Sequence, residues 1–133
     1  MSAENVALVR SVYENFGQGD IPAVLAALDP GVEWVESPQA FLPFAGVHRG
    51  PQAVAEGVFA TVMQHFVEFS VVPERFHDAG DVVVVEGRAT GRTPAGSVLD
   101  APASWVWTVR DGLITANHNY HDTGAFRSVL AGT

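Results

Sequence analysis

The sequence predicts an α+β fold, a single curved sheet packed over three helices that all lie in the first half of the chain. Three observations carry this. Apolar residues recur at three- and four-residue spacing in segments before residue 67, the period of a helix with one buried face. From there on, valine- and tryptophan-rich runs alternate with polar residues, the period of a strand. An Arg110-Asp111-Gly112 turn joins the last two runs as a hairpin, and the predicted order is α-α-β-α-β-β-β-β.

Each element has its own warrant. From Ser2 to Phe16, the residues Val6, Val9, Tyr13 and Phe16, broadened by Leu8 and Val12, form one apolar stripe, with Ser2 as the expected N-cap. Gly17-Gln18-Gly19-Asp20 stops that helix. Asp20 then caps a second one, in which Pro22 suits the first turn and Ile21, Val24, Leu25 and Leu28 make the buried face. Asp29-Pro30-Gly31 ends it, and residues 32–37 read as a strand. Residues 38–50 read as an apolar loop, and Gly50-Pro51 opens a third helix with Val54, Val58, Val62 and Phe66 facing a core. Gly57 in its middle costs about 1 kcal/mol relative to alanine, which a close backbone approach would explain. Strands are expected over 66–77, bent at Pro73, over 81–90, over 97–110 with an interruption at Pro102, and over 113–121. A short helical turn closes the chain.

Composition narrows the function. The 133 residues suit one domain, 1–133, large enough for one core. A net charge of −8 with only seven Lys and Arg, none in a run, argues against nucleic acid as a partner. The absence of cysteine excludes disulfides and thiolate metal sites. No apolar stretch is long enough for a membrane span, and the N-terminus has no secretory pattern, so a cytoplasmic protein is expected.

The densest polar cluster is Asn117-His118-Asn119-Tyr120-His121-Asp122. On a regular strand Ile114, Ala116, His118, Tyr120 and Asp122 share one face, and Thr115, Asn117, Asn119 and His121 the other. His118 and His121 therefore point apart. His118 and Asp122 are separated by four steps of roughly 3.3 Å, and His48, His65 and His77 come from dispersed segments. No metal site is expected.

The segments "GQGDIPAVLAALDPGVEWVES", "GVHRGPQAV" and "WVWTVRDGLITANHNYHDT" resemble the SnoaL-like, ketosteroid-isomerase-related group of the nuclear-transport-factor-2-like superfamily. The resemblance covers nearly the whole chain. It implies a cone of curved sheet and helices, an inward pocket, and in many members a homodimer through the outer sheet face. The chemistries it implies are cofactor-independent and act on hydrophobic small molecules: polyketide cyclisation, double-bond isomerisation, epoxide hydrolysis and dehydration.

Residue by residue, Asp122 matches the terminal aspartate that serves as acid or base in such cyclases and in limonene-epoxide hydrolase. Its other reading is the cap of the terminal turn. Tyr120 and His118, on the same strand face, are the expected partners for a substrate oxygen and a proton, or else half-buried strand residues. Arg88 matches the arginine of the epoxide hydrolase and would hold a carboxylate, or pair with Glu86 on the surface. Thr90 stands where that enzyme has its second aspartate. The isomerase base falls at Ser37, so that Glu36 would serve only with a shift of one residue. Trp105 replaces a histidine common among relatives. Trp34, Phe41, Phe44, Trp105 and Trp107 are the expected lining of a pocket for a flat apolar ligand. Three functions compete: an acid–base enzyme acting on a hydrophobic carbonyl compound, a noncatalytic binder with the same pocket, and a protein-interaction module with a filled interior.

Overall fold

The computed structural model describes residues 2–131, Ser2 by its backbone alone, so the expected capping side chain of Ser2 lies outside the description. Helix α1 (Ser2–Gly17) buries Val9, Val12 and Tyr13, with Val6, Leu8 and Phe16 packed beside them, the stripe that its periodicity predicts. Helix α2 (Ile21–Ala26) begins where the Asp20 carboxylate accepts the Ala23 N–H at 3.2 Å, and it buries Val24. It is shorter than expected. Leu28 is buried, but as the first residue of strand β1 (Leu28–Glu36), paired with Ile114.

The apolar segment after β1 holds a short strand, β2 (Gly46–Arg49), where the sequence suggested only a loop. It pairs antiparallel with β1, bringing His48 opposite Trp34. The third helix is built in three pieces: α3 (Pro51–Val54), a π-helical turn (Ala55–Phe59) and α4 (Ala60–His65). Gly57 lies in the π turn, and the close approach is real. A Cβ there would stand 2.5 Å from His48 Nδ1 and 2.8 Å from its Cε1. The Thr61 hydroxyl donates to the Glu56 carbonyl five residues back at 3.2 Å, a reach that matches the wider turn.

Strands β3 (Glu68–Ala79), β4 (Val82–Arg92), β5 (Val98–Arg110) and β6 (Leu113–His121) follow, and helix α5 (Thr123–Leu130) ends the described chain. The register of β3 slips between Pro73 and Arg75, the bend expected at Pro73. Strand β5 runs through Pro102 without interruption. Strand β6 reaches only as far as Ala103, and beyond it the Asp122 N–H closes on the Pro102 carbonyl at 3.0 Å. Asp111 and Gly112 both take positive φ, 53° and 76°, as the hairpin turn requires.

The six strands form one mixed sheet in the order β2-β1-β6-β5-β4-β3, with β1 and β6 parallel and every other pair antiparallel. Alternation sets its inner face: Val83, Val85 and Ala89 from β4, and Leu99, Ala101, Trp105, Trp107 and Val109 from β5, are buried under the helices. No helix among the described residues is long and apolar enough to cross a membrane.

One irregularity decides what the inner face carries. Val109 pairs with Ile114 but Thr108 with Ala116, so β6 holds one residue more than its partner at Thr115. Such a bulge reverses the alternation beyond it. Ile114 and Asn117, three apart, are therefore both fully buried on the inner side. From Asn117 onward the inward residues are Asn117, Asn119 and His121.

Candidate active site

Between the helices and the inner sheet face lies a cavity of about 590 Å³. Its walls are mostly apolar, with aromatic rings prominent among them. Trp34 meets Phe59 and Trp107 edge-on, at centroid separations of 5.5 and 5.6 Å, and Tyr13 meets Trp107 in the same way at 5.6 Å. Asn119 stands opposite Trp105 on β5, while Asn117 sits between Trp34 on β1 and Trp107 on β5. A polar track thus runs along β6 between indole walls.

Each of the three indole N–H groups is spent on a different titratable side chain. Trp34 donates to Glu36 Oε2 at 2.8 Å, Trp105 to His121 Nε2 at 3.3 Å, and Trp107 to the Tyr13 hydroxyl oxygen at 3.0 Å. These bonds assign polarity. His121 accepts at Nε2, so its ring proton belongs on Nδ1. Tyr13 accepts with its oxygen and keeps its own proton free to donate. Glu36 holds one oxygen against Trp34, while the other, Oε1, is buried with no hydrogen-bond partner.

Burial sets the protonation of these groups. Desolvation pushes the Glu36 carboxyl up to about 8, against a smaller opposing pull from the Trp34 N–H. Desolvation likewise pushes His121 down to about 4 and holds the Tyr13 hydroxyl far above its ordinary range. Glu36 Oε1 and His121 Nδ1 are 3.9 Å apart. At neutral pH they are therefore a carboxylic acid beside a neutral imidazole, not an ion pair. Asn119 is anchored by its amide N–H on the Val35 carbonyl at 3.1 Å, whereas neither polar atom of the Asn117 amide has a partner.

Four of the five expected lining residues, Trp34, Phe44, Trp105 and Trp107, border the cavity. Phe41 does not. It is half-buried beside the core, with the Arg127 guanidinium 5.7 Å from its ring. The expected catalytic group lies elsewhere altogether. Asp122 is exposed and caps α5, its carboxylate accepting the Ala125 N–H at 3.2 Å, which is the capping alternative. Tyr120 is 58% exposed and belongs to a groove of about 310 Å³ on the outer sheet face, together with Arg88. His118 stands 3.9 Å from Glu33, not in the cavity. Arg88 pairs with Asp100 at 2.6 Å, which raises its pKa, while Glu86 pairs instead with His77 at 2.7 Å. The bulge at Thr115 is the physical reason: it turns His118 and Tyr120 to the outer face.

The residues in their place are Glu36, His121, Tyr13 and Asn119. One of them was within reach of the sequence. Val32, Trp34 and Glu36 occupy alternate positions of one strand, and all three are buried. No shift of register is needed to bring Glu36 inward. Among the described residues no three His, Cys, Asp or Glu side chains converge as a metal site would require.

A family model described as the SnoaL-like domain matches residues 9–117. Among solved structures, TerC, crystallised with polyporic acid, is 27% identical with a TM-score of 0.89, over 96% of this chain and 98% of its own. A nuclear-transport-factor-2-like protein of unknown function from Burkholderia pseudomallei is 27% identical with a TM-score of 0.89, over 98% of each chain. A nuclear-transport-factor-2-like protein from Burkholderia xenovorans is 30% identical with a TM-score of 0.84, again over 98% of each. None of the curated proteins matches the chain in sequence. With most of its length matched by the family model and its overall fold shared with these structures, this chain belongs to the SnoaL-like family of the nuclear-transport-factor-2-like superfamily.

Proposed function

We propose that this protein is an acid–base enzyme acting on a hydrophobic carbonyl compound held in the indole-walled cavity, with isomerisation, cyclisation or dehydration as its reaction class. The observation that carries the proposal is Glu36, a buried carboxyl on the cavity wall with one oxygen unpartnered. Glu36 takes the place first expected of Asp122. In its carboxylate form it removes the proton α to the carbonyl, and it returns that proton to the intermediate at a new position. A value of about 8 keeps both forms populated near neutrality, with roughly a tenth carboxylate at pH 7. The free proton of Tyr13 and the Nδ1–H of His121 are the two donors available to the developing enolate oxygen. The chemistry calls on no cofactor.

The crystallisation of TerC with polyporic acid supports a small-molecule ligand for this fold. An interaction module with a side-chain-filled interior fits poorly with a cavity of about 590 Å³. The proposal includes a second copy packed across the outer sheet face, where Val72 and Tyr120 are exposed, and a cytoplasmic setting. Its test is proton exchange at the α carbon of tetralone in heavy water, followed by NMR. Wild type should accelerate exchange, and Glu36→Gln should lose about 10²-fold or more while keeping its circular dichroism. Exchange unchanged in Glu36→Gln sinks the proposal. Tetralone bound without exchange turns the reading to a noncatalytic binder.

A further inference from the structure

Ala55, Val58, Phe59 and Val62 of the third helix border the cavity, whereas Gly57 does not; it meets the His48 ring instead. Its φ is not positive, so the backbone gives no reason for glycine at this position. Glycine is also the poorest helix former short of proline. What it supplies is room, since a Cβ would stand 2.5 Å from His48 Nδ1.

His48 is held where it stands. Its Nε2 lies 2.8 Å from the Phe44 carbonyl, which can only accept, so Nε2 carries the ring proton and Nδ1 presents a lone pair toward Gly57. Its backbone is paired opposite Trp34 in the β1–β2 ladder. Phe44 and Trp34 both border the cavity. The imidazole thus stands behind the wall, tied to two residues that form it and set against the helix that supplies several more.

A methyl group at position 57 would need about 1 Å more to reach an ordinary contact of roughly 3.5 Å. With His48 fixed by its hydrogen bond and its strand, the helix is the part that moves, toward the cavity. Phe59 carries that movement into the aromatic wall, where it already meets Trp34 at 5.5 Å and Phe16 at 5.3 Å. We infer that His48 and Gly57 are positioning residues that set the width of the cavity, and with it the largest ring system the protein accepts. The inference rests on the reading of this cavity as the seat of a hydrophobic carbonyl compound, but it concerns size selection and not proton transfer.

The test is fluorescence titration with acetylnaphthalene and acetylpyrene, ketones that carry the same acetyl group on two and on four fused rings. The readout is the affinity for acetylpyrene relative to acetylnaphthalene, because a merely destabilised protein weakens both alike. Gly57→Ala should lower this ratio by about fivefold or more. His48→Ala removes the ring, lets the helix settle back and should raise the ratio by about threefold. It carries the test by itself if Gly57→Ala does not fold. The double variant should match His48→Ala within about twofold, since the added methyl then meets no ring. A ratio unchanged in either single variant overturns the inference, as does a wild type that binds neither probe. A shifted ratio without tetralone exchange would leave the inference standing and remove the enzyme, and exchange with an unmoved ratio would do the reverse.

Discussion

Replacing Glu36 with glutamine should remove a loss of stability that the wild-type protein suffers as pH rises. In the folded chain the carboxyl is raised from an ordinary 4.5 to about 8. Between those values the folded state keeps a proton that the unfolded state has released, so stability falls with increasing pH. The full penalty above pH 8 is about 5 kcal/mol, at about 1.4 kcal/mol per pH unit. His121 acts with the opposite sign. Its pKa is lowered from 6.5 to about 4, so the unfolded state holds the extra proton and stability rises with pH through that window, by about 3 kcal/mol in total.

The two windows overlap between 4.5 and 6.5, where one slope cancels the other. Above 6.5 only Glu36 is still titrating, and its contribution declines by about 2 kcal/mol before levelling near pH 8. In Glu36→Gln the His121 rise is uncovered at low pH and the decline above 6.5 disappears. The stability difference between variant and wild type should therefore widen steadily from about pH 5 to about pH 8. Urea unfolding at a series of pH values measures it directly. A difference that is the same at both ends of this range would refute the burial argument, and with it the proton-carrying role built on Glu36.

Two further substitutions test the local geometry. Gly57→Ala should cost about 1–3 kcal/mol in urea unfolding, because its Cβ would press on the His48 ring. Adding His48→Ala should recover part of that loss, and strict additivity of the two changes would argue against the contact. Asp122→Asn should leave both stability and tetralone exchange unchanged, since asparagine caps as well as aspartate, while Asp122→Ala should cost about 1 kcal/mol. Loss of exchange in a well-folded Asp122→Asn protein would return that carboxylate to the chemistry.

Much of the fold was legible because its elements announce themselves locally. The α1 stripe, the Asp20 cap, the β4 valines and the Asp111-Gly112 turn each depend on residues a few positions apart. What was lost depends on distant partners. Leu28 continues the apolar spacing of α2, so only its pairing with Ile114 reveals it as the start of a strand. Strand β2 is four residues with exposed Val47, and only its pairing with residues 33–36 of β1 makes it one. His48 lies against Gly57 in the π turn, a contact between two segments that no local period connects.

The site shows the same division more sharply. Alternation correctly separates His118, Tyr120 and Asp122 from Asn117, Asn119 and His121, but alternation by itself does not say which set faces the core. The match of Asp122 to the family's terminal aspartate pointed to the first set, and the extra residue at Thr115 turns the other set inward. The bulge reconciles two demands on one strand. Its beginning must bury Ile114 beside Leu28, and its end must present polar groups between Trp34 on one side and Trp105 and Trp107 on the other. Without the extra residue, an inward Ile114 would carry Ala116, His118 and Tyr120 inward with it. The indoles of Trp105 and Trp34 would then have neither His121 nor a facing Asn119 to organise with Glu36. A single unpaired residue thus determines which half of the polar cluster meets the cavity, and the chemistry follows from that choice.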